Sequence, residues 1–178
     1  MPKHQRRNAS SNTQVGIDFE DLTLSYFKKS IPDITKPFWL PIGHIEQKQH
    51  KFDLGCANQK VIIECKSHTW TEGGNVPSAK LTTWDQAMLY FFLAPRRYRK
   101  IFAVKKHINP KTKESLASYY IRTHSHVIPD EVEFWEIDEN EHGNVGTFEE
   151  IDFDLTQRFN GKAKKLINPF VDSRAKGV

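Results

Sequence analysis

Residues 51 to 66 read Lys-Phe-Asp-Leu-Gly-Cys-Ala-Asn-Gln-Lys-Val-Ile-Ile-Glu-Cys-Lys, two short apolar runs joined by a polar Asn58-Gln59 turn. Runs of this length bounded by turn residues read as strands, and their closeness makes an antiparallel hairpin. If the pair is centred on Asn58-Gln59, opposed residues have numbers that sum to 117, and Asp53 faces Glu64. Opposed residues share a sheet face with Cβ atoms about 5 Å apart. Side chains alternate along a strand, so Ile62, Glu64, Lys66 and His68 point one way and Val61, Ile63, Cys65 and Ser67 the other. A slip of one residue would scatter the charged groups. Cys56 then faces Val61, and Cys65 lies too far along the partner strand for a disulfide.

The rest of the chain supplies a sheet for this hairpin to join. Val15, Phe19, Leu22, Tyr26 and Phe27 recur at helical steps over Gln14 to Lys29, and Pro32 ends that helix. Glu20 lies one step off its apolar stripe. Strands are expected at Phe38 to Ile45, Lys51 to Ala57 and Lys60 to His68, followed by a flexible loop, Thr71 to Pro77. Leu81, Trp84, Met88, Leu89 and Phe92 predict a second helix over Ser78 to Ala94, stopped by Pro95. A strand at Ile101 to His107, a helix at Lys113 to His124 and a strand at 132 to 137 complete the order; His124-Ser125-His126 marks a helix end. An acidic loop and a short helix near Phe153 to Phe159 come last. Trp39, Trp84 and Trp135 read as core. The fold class is α/β. Its mixed sheet has an antiparallel meander of three strands and a parallel fourth, linked by a right-handed helical crossover and flanked by helices.

At 178 residues the chain fits one domain. We expect it over 14 to 159, between a flexible basic arm at 1 to 13 and a basic tail at 160 to 178. No apolar run is long enough to cross a bilayer and no signal-peptide core follows the basic start, so a cytoplasmic protein is expected. Two cysteines make no disulfide framework. Charge is segregated. Arg96 to Lys113 holds eight basic residues and no acid, whereas Asp130 to Asp154 holds eleven acids and no Lys or Arg. That distribution suits a basic face offered to a polyanion, and it equally describes solvated surface.

Two carboxylates about 5 Å apart repel by about 3 kcal/mol at an effective dielectric of about 20, so a proton or a cation must compensate. Hard oxygen ligands with room for water and phosphate suit Mg²⁺, with Mn²⁺ as a substitute. Lys66 would orient an attacking water or stabilise charge on a pentavalent phosphorus. The competing reading is a cross-strand salt bridge on a solvated face. With no GxSxG elbow and no GxxxxGK[ST] loop, neither a serine hydrolase nor an ATP motor is indicated.

Asp53 with Glu64-Cys65-Lys66 across a hairpin, after a helix bearing Glu20 and before another helix, resembles the PD-(D/E)xK, or restriction-endonuclease-like, nuclease superfamily. Gln86-Ala-Met-Leu-Tyr90 resembles the QxxxY feature of its RecB-like branch, and Phe52 stands where the eponymous proline would be. The resemblance covers Gln14 to His107. It implies a restriction-endonuclease-like core, with Asp53, Glu64 and the Cys65 backbone carbonyl as metal ligands. Lys66 becomes the catalytic lysine, Glu20 the helical carboxylate, and Gln86 and Tyr90 face the site. The expected activity is Mg²⁺-dependent hydrolysis of DNA by an endonuclease, with a homodimer as the arrangement that cuts both strands. A repair exonuclease and a non-catalytic nucleic-acid-binding module are the alternatives. Candidate nucleic-acid contacts are His68, Trp70, Asn75, Tyr90, Arg96, Arg97, Arg99, Lys100, Lys105 and Lys106.

Overall fold

The computed structural model describes residues 5–139, 145–152 and 164–165. The first helix, α1, spans Gln5–Phe27. It starts nine residues before the predicted Gln14, so most of the expected arm is helix. Its buried stripe is Phe19, Thr23 and Phe27, four residues apart, and the Thr23 hydroxyl donates to the Phe19 carbonyl at 2.8 Å. That local bond lets a hydroxyl sit in an apolar seam with its polar group satisfied.

Strands β1 (Phe38–Ile42) and β2 (Lys48–Phe52) pair antiparallel with each other only. β3 (Leu54–Cys56) pairs with β4 (Val61–Lys66), which opens the six-stranded sheet. The expected meander is therefore corrected: the strand foreseen at Lys51 to Ala57 is broken at Asp53, and its two halves serve different sheets. β1 ends at Ile42 rather than Ile45 because Gly43 adopts φ +124°, where a Cβ would lie 2.1 Å from the Glu46 carbonyl oxygen. A second glycine sets the junction. A Cβ on Gly55 would come within 2.4 Å of the Phe38 ring, so the absence of a side chain lets β1 close over β3.

Helix α2 (Ser78–Leu93) crosses from β4 to β5 (Arg99–Lys105), which runs parallel to β4 as expected. α3 (Leu116–His124) and a 3-10 turn at Ser125–Val127 lead to β6 (Val132–Glu139), parallel to β5. α3 starts three residues later than predicted because the Ser115 side chain caps it, accepting the Ser118 N–H at 3.0 Å. The expected acidic loop is in part a strand, β7 (Val145–Asp152), antiparallel to β6, and β8 (Lys164–Lys165) pairs with β7. The short helix foreseen near Phe153 to Phe159 falls outside the described residues, as does most of the basic tail.

The mixed sheet divides two apolar clusters. Ile62, Trp84, Phe91, Phe102, Tyr120 and Phe134 fill one side, under α2 and α3. Phe19, Phe27, Val61, Ile63, Cys65, Ile101 and Trp135 fill the other, under α1. The alternation read along residues 61 to 65 is thus observed, with odd numbers beneath α1 and Ile62 opposite. Trp84 and Trp135 are fully buried, as predicted. Trp39 is not: it is 58% exposed, because Leu40 and Ile42 take the inward positions of β1.

Candidate functional site

The register across the hairpin is Leu54↔Ile63, Gly55↔Ile62 and Cys56↔Val61, each pair summing to 117. Continued by one step, it sets Asp53 against Glu64. Asp53 stands at the break, where the chain leaves β1 for β4, and its side chain compensates for the lost ladder. Oδ2 accepts the Cys65 N–H at 2.7 Å. On β4, Glu64 is 6% exposed, and its Oε2 accepts from Lys66 Nζ at 2.9 Å. Lys66 Nζ is also 4.0 Å from Asp53 Oδ2. The two carboxylates and the amine foreseen from the sequence form one cluster, with the lysine bridging the acids. Both cysteines are free and buried, consistent with the register.

Electrostatically the cluster is short of positive charge. Burial and the neighbouring Glu64 push the Asp53 carboxyl up to about 7, against the pull of Lys66 and the Cys65 N–H. Glu64 goes the other way. Burial alone would raise it, but His50 and Lys66 together hold it below the ordinary carboxylate value. Burial also works against the Lys66 ammonium, yet Glu64 and Asp53 outweigh it and keep that amine raised. Glu20 adds to the upward push on Asp53, so α1 does present this carboxylate toward the site. Glu20 is paired with Lys36 at 3.1 Å.

His50 is the residue that the sequence reading missed. It lies on β2 beside Phe52, and its Nε2 is 3.7 Å from Glu64 Oε1, an electrostatic contact too long for a hydrogen bond. The imidazole lies against Tyr90, ring centroids 3.8 Å apart, and meets Phe52 edge-on at 4.7 Å. Gln86, exposed on α2, donates to the Tyr90 hydroxyl at 2.9 Å. The Gln86–Tyr90 pair therefore approaches Glu64 by way of His50. A signal for His50 existed: alternation back from buried Phe52 turns residue 50 inward.

The other candidates separate. His68 Nδ1 accepts from Trp84 Nε1 at 2.9 Å, which fixes the neutral Nε2–H tautomer. Burial, with Lys80 and Lys66 adding, pushes that imidazole down to about 4. Trp70, expected in the loop as a substrate contact, is buried with its ring edge-on to Tyr119. Asn75 is exposed in a loop closed on itself, its N–H donating to Thr71 Oγ1 at 2.8 Å. Asn109 pins that loop through Gly74, so the flexible segment foreseen here is tied down.

Part of the expected basic face is turned inward to the sheet's own acids. Because β5 and β6 are neighbours, the basic run meets the acidic run. Arg99 makes two hydrogen bonds to Glu133 at 2.7 and 2.6 Å, fully buried Lys100 pairs with Glu131, and Lys106 is 4.0 Å from Asp138. Lys105 is half-buried at the end of β5. Arg96, Arg97, Lys111 and Lys113 remain exposed, Arg97 over the Tyr98 ring.

Among the described residues, no three or more His, Cys, Asp or Glu side chains gather to hold a metal ion. A cation here would rest on the Asp53 and Glu64 carboxylates, with water and backbone oxygen completing the shell. That sparse, hard donor set is one Mg²⁺ accepts. The Asp53 carboxyl, raised by burial first and by Glu64 second, is one whose ionised form a nearby cation would favour. No described helix is long and apolar enough to cross a membrane. No family model, curated protein or solved structure matches the chain.

Proposed function

We propose that the chain is a metal-dependent nuclease that hydrolyses DNA phosphodiester bonds, built on a restriction-endonuclease-like core. The observation that carries this reading is the convergence of Asp53, Glu64 and Lys66 through a single strand register. Oppositely charged groups set where strand interiors would be apolar cost desolvation, and nothing in the packing of β4 requires them. Glu20 from α1 and the helix–strand order around the hairpin agree with that core.

Asp53 and Glu64 would hold Mg²⁺ or Mn²⁺. The ion, when bound, supplies Lewis-acid polarisation of a phosphate oxygen and a water acidic enough to attack at neutral pH. Asp53 would enter the reaction ionised once a cation offsets its burial and its repulsion by Glu64. Glu64, already ionised, keeps one oxygen on Lys66 and so fixes the amine over the site. Lys66 remains charged and lies between both acids, where it can orient the attacking water or stabilise charge developing on phosphorus. Arg96, Arg97, Lys111 and Lys113 are exposed cations of the basic run available to the DNA backbone.

The test is incubation of purified protein with supercoiled plasmid in Mg²⁺ or EDTA, beside Lys66→Ala. Nicking that needs the metal and vanishes in the variant is expected. Cleavage that survives EDTA or the substitution, or no cleavage of DNA, would overturn the proposal.

A further inference from the structure

We propose that His50 is a positioning residue of this site: held between Tyr90 and Phe52, it aims Nε2 at Oε1 of Glu64 and fixes that carboxylate in the orientation in which it shares a cation with Asp53. The inference rests on the metal-binding reading given above.

Three observations converge. First, His50 Nε2 is buried and has no hydrogen-bond partner among the described residues, and Glu64 Oε1 is 3.7 Å away. A buried ring nitrogen without a partner is uncommon unless a partner arrives, and here a movement of less than an ångström would close the bond. Second, the ring is confined. Tyr90 lies against its face at 3.8 Å and 32°, while Phe52 meets it at 81°, so rotation of the imidazole would collide with one or the other. Third, the two oxygens of Glu64 are divided, Oε2 to Lys66 at 2.9 Å and Oε1 toward His50. A carboxylate addressed on both oxygens cannot swing away from Asp53 without losing one contact.

The Gln86–Tyr90 hydrogen bond then acquires a purpose within the protein. It steadies the ring that steadies His50, and through His50 the metal-binding acid. Ligand-orienting contacts of this kind typically carry a 10–100-fold effect on metal affinity or activity.

The test uses His50→Leu, which keeps bulk and deletes the donor, and His50→Gln, whose amide nitrogen reaches about where Nε2 stands. Mn²⁺ binding is measured by titration without DNA, alongside kcat and KM for plasmid nicking and the thermal midpoint. His50→Leu is expected to weaken Mn²⁺ binding about 10–100-fold and to lower kcat with KM for DNA unchanged, and His50→Gln to restore most of both. Equal Mn²⁺ affinity in wild type and His50→Leu, or a Gln variant no better than Leu, overturns the proposal. If His50→Leu fails to fold, His50→Asn, whose amide reaches only to the Nδ1 position, replaces it. A wild type that binds Mn²⁺ but cuts nothing defeats the nuclease reading and leaves His50 judged by binding. A wild type that binds no Mn²⁺ defeats both.

Discussion

Replacing Asp53 by Asn removes a carboxylate that the fold holds against its own charge. Its ordinary value of 3.8 is raised to about 7, a shift of about 3 units, and at about 1.36 kcal/mol per unit the ionised group opposes folding by about 4 kcal/mol at alkaline pH. Asn keeps an acceptor for the Cys65 N–H and stands in for the neutral carboxyl, and the stronger bond of the ionised form is already included in that shift. The side chain is 21% exposed, so screening trims that figure, and we expect a net gain of about 2 kcal/mol. The sign follows from proton counting. Between about pH 4 and pH 7 the folded state keeps a proton that the unfolded chain has released, so wild-type stability falls as pH rises through that window.

Urea unfolding in EDTA should therefore find Asp53→Asn about as stable as wild type near pH 4.5 and more stable near pH 8. Mg²⁺ should close the gap from the wild-type side only, by about 2.7 kcal/mol at a hundredfold excess over its dissociation constant. The variant should cleave nothing. An Asn variant that is less stable at about pH 8, or a difference that does not change with pH, would refute the assignment of electrostatic strain to Asp53.

Two further outcomes are expected. Trp84→Ala should cost about 3–5 kcal/mol by urea unfolding, since it empties a fully buried site and releases His68, whereas Trp39→Ala should stay within about 0.5 kcal/mol. Substituting Arg96 and Arg97 together by Ala should lower the salt dependence of DNA binding by about 2 in log–log slope, while Lys100→Met, at a buried lysine already paired with Glu131, should leave that slope unchanged.

How much of this was legible in the sequence depends on how local each cause is. The hairpin register follows from one turn and one alternation, and it was read to the residue. The meeting of the basic and acidic runs could not be read, because Arg99 and Glu133 are neighbours only once β5 and β6 lie side by side. Composition favoured a basic surface; topology turned Arg99, Lys100 and Lys106 of it into paired charge. β7 was hidden in an acidic stretch because its pairing with β6, rather than any apolar run, makes it a strand.

Trp39 and His50 belong to a different class of miss. Leu40 and Ile42 both point inward, so strict alternation sends Trp39 out, and the same rule counted back from Phe52 turns His50 in. Treating a tryptophan as core by residue type overrode a pattern that was already present. Asp53 was placed opposite Glu64 by the hairpin register, but the break in the strand at that residue was not foreseen. It lies where the ladder Phe38↔Phe52 ends and the ladder Leu54↔Ile63 begins, so its orientation is set by the competition between two partner strands. A carboxylate at such a junction is free of the pleat and can turn its oxygen to the Cys65 N–H, and this brings it to Lys66 and Glu64. The irregularity that defeated the reading of one continuous strand is thus the feature that assembles the site.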